Sequence, residues 1–283
     1  MTILVTGGNG QLGSALRLAS AKSSHRYIFT DIDELDITSK TAVEEFVAKN
    51  SIKAIVNCAA YTAVDIAEDN ESLADSINHK AVAILAEVCA SHNATLVHIS
   101  TDYIFDGKAT TPYKEEDTPA PLSAYGRTKL AGERAIADAG CHAIVLRTAW
   151  LYSEFGRNFV KTMRELMSFR PEIKVVADQV GTPTYAGDLA NAIVEIIESN
   201  QLSKDGTYHY TNNGECSWYG FACEIAKQSN LRNCDITPCT TAEYPTKATR
   251  PRYSVLDKSR FSASFGITIP EWQESLAECI KKF

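Results

Sequence analysis

The chain has 283 residues, 45% of them hydrophobic, and carries a net charge of -7 with its basic residues dispersed. A chain of that length buries roughly 75% of its unfolded surface, which supports a full core in one large or two closely joined domains. The acidic balance argues against nucleic acid and anionic membrane as partners. No run approaches the roughly 20 apolar residues that span a bilayer, and the first apolar stretch stops at Gly7, too early for a signal peptide. Eight cysteines show neither Cys-x-x-Cys nor paired-histidine spacing. They read as reduced, buried thiols of a cytoplasmic protein.

Residues 2–5 are an apolar run that meets glycines at once, and Leu12, Ala15, Leu16 and Leu18 follow at helical spacing. That pattern predicts strand, tight turn, helix. Residues 26–30 predict a second strand ending at Asp31, residues 42–47 lie in a helix, and residues 54–58 form a third strand. A long helix covers about 72–92, and the fourth strand, 94–99, carries Ser100 and Thr101 at its C-terminal end. Residues 106–122, rich in Thr, Pro and charge, predict a surface loop. A helix from Tyr125 to about Ala139 and a fifth strand at 143–147 follow.

Strands alternating with helices imply an α/β fold, a Rossmann-type doubly wound parallel sheet with right-handed crossovers. Ligands of such sheets gather at the C-terminal strand ends. After Arg147 the rhythm changes. Helices at about 158–168, 187–199 and 217–229, with a strand-like stretch at 206–210, predict a smaller C-terminal substrate-binding domain. The expected division is 1–148 for the Rossmann-type domain and 149–283 for the second, with about 187–211 returning to the first.

Gly7, Gly10 and Gly13 punctuate the turn between the first strand and its helix, in Thr6-Gly7-Gly8-Asn9-Gly10-Gln11-Leu12-Gly13. Such glycines let the backbone turn tightly, approach a pyrophosphate and pack a helix on the sheet. The free N–H groups and positive dipole end of the helix then face the phosphates. Asp31 ends the second strand, where a carboxylate accepts hydrogen bonds from the adenosine ribose hydroxyls. It would repel a 2′-phosphate, so NADH is expected over NADPH, with NADPH possible if Arg17 or Arg26 lies near enough to neutralise that phosphate.

Tyr125 and Lys129 are four residues apart on a predicted helix, hence on one face. An ammonium beside a phenol lowers its pKa and eases proton exchange. Ser100-Thr101 adds a hydroxyl from a strand end. Beside a nicotinamide, this trio can bind and protonate a carbonyl oxygen. Tyr-x-x-x-Lys alone is a weak signal, because a solvated helix pair has the same spacing. Joined to the glycine loop and Ser-Thr it becomes specific.

The run at 6–13, Asn57-Cys58-Ala59-Ala60, Ser100-Thr101 and Tyr125 through Lys129 together resemble the extended short-chain dehydrogenase/reductases. Residues 59–65, 100–107, 125–133, 147–150 and 178–184 narrow the likeness to the members that reduce 4-keto nucleotide-sugars. The resemblance implies NAD(P)H-dependent reduction of the C4 ketone of a dTDP-linked sugar. By the family's pattern Tyr125 is the proton donor, Lys129 binds the nicotinamide ribose and tunes Tyr125, and Thr101 holds the carbonyl oxygen. Asp102 and Trp150 match positions that touch the nucleotide-sugar. Gly10, Gln11, Leu12, Asp31, Asp36, Ile37, Ala60, Tyr61 and Thr62 match positions that line the cofactor. Some members carry glutamates, in the first helix and near the Pro-Thr motif, that join two subunits through magnesium. Ala15 and Gly187 stand at the nearest positions here, so no metal is expected, and the chain is expected to be a monomer or a metal-free homodimer.

Further candidates each have two readings. Trp150 is a stacking wall for sugar or base, or core. Arg250, in Arg250-Pro251-Arg252, clamps a diphosphate, or is a solvated loop charge. Asn158 and Gln179 reach the nucleotide, or cap local structure. His98 reads as a core histidine pointing away from the cofactor edge. A dehydratase or epimerase that retains NAD⁺ would need an acid and a base after the threonine, commonly Thr-Asp-Glu, whereas the triplet here is Thr101-Asp102-Tyr103. A regulatory nucleotide-binding subunit would have no need of Thr101, Tyr125 and Lys129 together. A reductase of another 4-keto nucleotide-sugar stays open.

Overall fold

The computed structural model describes residues 1–283. β1 (Thr2–Thr6) buries Ile3, Leu4 and Val5 completely, as a strand covered on both faces must. The chain continues through α1 (Gln11–Ala19), β2 (Arg26–Thr30), α2 (Lys40–Asn50), β3 (Ile52–Asn57), α3 (Val64–Ala67), α4 (Glu71–Asp75), α5 (Ala81–His92), β4 (Thr95–Thr101), α6 (Ala124–Ala139) and β5 (Ala143–Thr148). A π turn, Ser76–Lys80, joins α4 to α5, so the predicted long helix is present with one bulged turn. Local chemistry sets the helix ends. The Ser39 and Ser123 hydroxyls accept from the backbone N–H groups of Ala42 and Gly126, and Asn93 and Gly140 close helices in the left-handed conformation.

Then follow β6 (Leu151–Tyr152), α7 (Phe159–Phe169), β7 (Glu172–Val176), β8 (Val180–Gly181), β9 (Thr184–Tyr185), α8 (Ala186–Glu198), β10 (Gly206–His209), β11 (Cys216–Ser217), α9 (Trp218–Gln228), β12 (Asp235–Cys239), α10 (Ser259–Phe265) and α11 (Trp272–Ile280).

Six strands form one parallel sheet in the order β10-β5-β4-β3-β1-β2. One face is covered by α1 and α8, with Leu16, Ile193 and Phe261 in a shared core. The other face meets α2, α5 and α6 through Val43, Leu85 and Ile136. A third core joins α7, α9 and α11 through Met163, Phe221 and Leu276. Register decides what stands at the sheet edge. Thr6 pairs with Thr30 and Asn57, and Asn57 with His98. β4 runs on past that row to Thr101, which pairs with Thr148.

A buried ion pair locks α6 to the sheet. Arg147 on β5 gives Nη2 to Glu133 Oε2 at 2.8 Å and Nε to Glu133 Oε1 at 3.1 Å, with both side chains at most 7% exposed. The Ser100 hydroxyl donates to the same carboxylate, and Arg147 Nη1 donates to the Glu115 carbonyl at 3.3 Å. Removing one partner strands a buried charge and costs about 3–5 kcal/mol. Arg147→Met is therefore expected to lower the unfolding free energy by that amount in urea titrations followed by circular dichroism, and Arg147→Met with Glu133→Leu to recover part of it. A single-variant loss under about 1 kcal/mol, the range of exposed pairs, would contradict this account.

Candidate active site

The strand ends open onto a cavity of about 540 Å³. Gly10, Gln11 and Leu12 reach it from the loop and α1, and Ala60 and Thr62 from the segment after β3. Thr101 and Asp102 come from the end of β4, Tyr125 and Lys129 from α6, and Trp150 and Asn158 from beyond β5. A second cavity of about 350 Å³ holds Gly7, Asp31, Asp36 and Ile37, and shares Gly10, Cys58 and Ala60 with the first. The two make one cleft across the sheet edge. Gly13 and Tyr61 line neither. Gly13 lets α1 pack against the loop, since a Cβ there would sit 2.7 Å from Gly8 Cα. Tyr61 is held by its backbone, which both donates to and accepts from the Asn78 amide.

The glycine loop suits an anion. Gly7 has φ +64°, and a Cβ on it would lie 2.6 Å from Ala59 N. Gly10 precedes α1, and no side chain caps that helix, so its leading N–H groups are left for a ligand. Asp31 Oδ2 accepts from Asn9 N at 3.0 Å, which ties the carboxylate to the loop. The Arg17 guanidinium lies 4.3 Å over the Phe29 ring, near the same end of β2. Arg26 opens β2 opposite Thr2, at the other edge of the sheet, where it cannot reach a phosphate.

Thr101 is 4% exposed. Its hydroxyl accepts from Tyr103 N at 3.2 Å and donates to Asp102 Oδ1 at 3.1 Å. Asp102 is 2% exposed and its Oδ2 has no partner. Burial pushes its carboxyl up to about 6, against the pull of the Ser254 and Thr101 hydroxyls. Tyr125 meets the edge of Tyr103, ring centroids 5.5 Å apart. Lys129 is 1% exposed, and its Nζ donates to the Ile99 carbonyl at 2.6 Å and lies 3.2 Å from His98 Nε2. Burial brings the lysine down to about 8, although Glu133 and Cys58 favour its charged form.

Two expectations need correction. The Tyr125 phenol is not brought toward neutrality: burial raises it above its ordinary value, against the pull of the Thr101 hydroxyl. The amine reaches past the phenol to β4. His98 is a core residue, fully buried, but it does not point away from the site, because its ring faces the lysine.

A third cavity, about 300 Å³, lies outward and holds Gln179 and Arg250 with Lys174, Trp218 and Tyr244. Arg250 is braced rather than solvated, donating from Nη2 to Asp65 Oδ2 at 2.7 Å and from Nη1 to Tyr103 Oη at 3.0 Å. Gln179 Nε2 donates to Thr241 Oγ1 at 3.0 Å. Asn158 caps α7 by accepting from Lys161 N at 3.1 Å, and its amide donates to Gln11 Oε1 at 3.0 Å. Trp150, in the left-handed conformation at φ 48°, stacks on Trp218 with centroids 3.5 Å apart. Non-glycine residues held there cost about 1–3 kcal/mol and cluster at functional sites. Sequence reading missed Tyr103 as a brace, and also Cys58, Trp218 and Lys174. Only the Thr-Asp-Tyr triplet gave a signal, for Tyr103.

Ala15 lies on the buried face of α1, and a Cβ on Gly187 would run into the Tyr185 ring. No group of three His, Cys, Asp or Glu side chains is assembled anywhere. No helix is long and apolar enough to cross a membrane.

A family model described as "RmlD substrate binding domain" matches residues 1–283. The dTDP-4-dehydrorhamnose reductase of Aggregatibacter actinomycetemcomitans is 42% identical over 283 residues, covering 97% of this chain and 96% of the relative. The "Probable dTDP-4,6-dihydroxy-2-methyloxan-3-one 4-ketoreductase" of Streptomyces antibioticus is 42% identical over 279 residues, covering 98% and 94%. The crystal structure of dTDP-4-dehydrorhamnose reductase from Bacillus anthracis in complex with NADP superposes with TM-score 0.95 at 38% identity, covering 100% of this chain and 99% of that one. The chain belongs to the RmlD family, the nicotinamide-dependent oxidoreductases that include the dTDP-4-dehydrorhamnose reductases.

Proposed function

We propose that this protein reduces the C4 ketone of dTDP-4-dehydro-β-L-rhamnose to dTDP-β-L-rhamnose with NAD(P)H, in the cytoplasm, as a monomer or a homodimer without a bridging metal. The observation that carries the reading is the meeting of Thr101, Tyr125 and Lys129 in one cavity that continues into the glycine-loop cleft. The loop and the α1 N-terminus suit the pyrophosphate, Asp31 the adenosine ribose, and Ala60 and Thr62 the wall between them.

Bound there, the reduced nicotinamide supplies hydride to the ketone carbon. The Thr101 hydroxyl donates to the carbonyl oxygen, and the Tyr125 phenol transfers its proton to that oxygen as negative charge develops. A phenol raised by burial stays protonated at neutral pH, which suits a donor. Lys129 donates to the nicotinamide ribose. Asp102 Oδ2, buried and unpartnered, accepts from a sugar hydroxyl. Trp150 and Trp218 form a stacked wall for the nucleotide-sugar. Arg250 spends two of its five N–H donors on Asp65 and Tyr103 and keeps the others for the diphosphate.

The Streptomyces relative's name supports a second reading, reduction of another dTDP-linked 4-keto sugar. A dehydratase is disfavoured, because Tyr103 holds the position of its base and is bonded to Arg250.

Consumption of NADH or NADPH with dTDP-4-dehydrorhamnose generated in situ, followed by product identification, tests the central reading, and no consumption of either would refute it. Tyr125→Phe is expected to lower kcat by about 10²-fold or more while the NADH dissociation constant barely changes. Near-normal turnover would remove the phenol from its role. For the cofactor, Asp31 favours NADH, whereas the Bacillus anthracis relative holds NADP and Arg17 lies close to the same strand end. The ratio of kcat/KM for NADH over NADPH is expected to fall in Asp31→Ala. An unchanged ratio would show that the carboxylate does not discriminate.

A further inference from the structure

Asn57 ends β3 with its side chain fully buried. Its carbonyl oxygen accepts from Ala59 N at 3.2 Å and from the Thr6 hydroxyl at 2.6 Å. A backbone N–H can only donate, so the amide has one orientation and presents its NH₂ to His98 Nδ1, 3.1 Å away. Nδ1 must therefore accept. The imidazole is fully buried and its burial favours the neutral ring, so its single hydrogen sits on Nε2. Nε2 lies 3.2 Å from Lys129 Nζ. An ammonium has three hydrogens and no lone pair, and against Nε2–H it would set donor to donor. The contact becomes a hydrogen bond once the lysine has lost a proton. Its lone pair then accepts from Nε2–H while a remaining N–H stays on the Ile99 carbonyl.

We propose that His98 is a positioning residue that favours the neutral amine of Lys129 over the ammonium in the free protein, its tautomer dictated by the Thr6-Asn57 relay, so that molecules whose lysine is neutral take up a proton from solvent as the cofactor binds. The titratable groups facing Lys129 are His98 from β4, Cys58 just past β3 and Glu133 one turn along α6. Glu133 and Cys58 favour the ammonium, whereas burial opposes it, and the Nε2–H of His98 facing Nζ at 3.2 Å opposes it too. The sign follows. The ammonium is present below a pH of about 8 and lost above it, so NADH affinity of the free protein weakens as pH rises through that value.

The inference rests on the nicotinamide reading of the cleft, and its test separates the two. The first arm uses no ligand: ¹⁵N-histidine long-range correlation spectra of the wild-type protein, with the His98 signals among six histidines assigned by their loss in His98→Gln. A non-titrating Nε2–H ring is expected, and an Nδ1–H ring overturns the proposal whatever the protein binds. The second arm measures the NADH dissociation constant against pH. In His98→Met, which fills the space without a donor, the alkaline midpoint is expected to rise by about one pH unit, a tenfold shift in the ratio of the two lysine forms. In His98→Gln, whose amide restores an N–H near Nε2, it is expected to stay at the wild-type value. Identical midpoints in wild type and His98→Met overturn the proposal. Failure of the wild type to bind NADH or NADPH at any pH counts instead against the proposed function.

Discussion

The placement of α6 against β4 and β5 governs the rest of the site, and the buried contact of Glu133 with Arg147 fixes it. Two glycines let the helix seat closely, one against the segment after β4 and one against the π turn. A Cβ on Gly126 would strike the Tyr103 carbonyl, and one on Gly132 the Asn78 carbonyl. With the helix pressed down, Lys129 reaches the Ile99 carbonyl and Tyr125 opens into the cavity. Arg147 also lies 5.5 Å over the Phe105 ring, so the same guanidinium steadies the segment that follows Thr101. One charge pair therefore sets a helix, a strand end and a loop.

Behind the cavity runs a polar wedge through an otherwise apolar sheet. Thr6, Asn57, His98 and Lys129 are joined in sequence by hydrogen bonds. Ser100 and Glu133 form a second branch toward Arg147. Such groups are costly to bury unless each is satisfied. Here every member has a partner, so the network stabilises one geometry over close alternatives. The cost is tolerable because both chains end at the sheet edge, where the proposed ligands approach.

Much of this was legible in the sequence because buried parallel strands appear as continuous apolar runs, and because the loop at Gly7, Gly10 and Gly13 sits where strand gives way to helix. The second half was harder. β6, β8, β9 and β11 have two residues each, too few for any period, and their partners are set by long-range packing. α10 and α11 went unread for a related reason: α10 spans seven residues, and its Phe261 and Phe265 pair with a sheet far away in sequence. Within the site, a spacing of four residues put Tyr125 and Lys129 on one face. It could not say that the amine would extend to β4, since that depends on how closely α6 docks. The sequence marked His98 as a core residue but not the direction of its ring, because that depends on which helix residue stands beside it. The stack of Trp150 on Trp218 had no local trace at all.

Desolvation also explains how charge is distributed over the cleft. Asp102 is pushed up to about 6 and Lys129 down to about 8. Both shifts lead toward the neutral form, because burial penalises either sign of charge. At neutral pH both groups are still mostly ionised with opposite signs, so the centre of the cavity carries little net charge, and the groups suited to anions stand at its ends. The uncapped N-terminus of α1 lies on one side, and Arg250 with Lys174 on the other. In the proposed reaction the phosphates of both ligands occupy those ends and a neutral carbonyl occupies the middle. Charge then appears at the centre only as the carbonyl oxygen accepts electron density. At that moment the hydroxyls of Thr101 and Tyr125 stand in place to meet it.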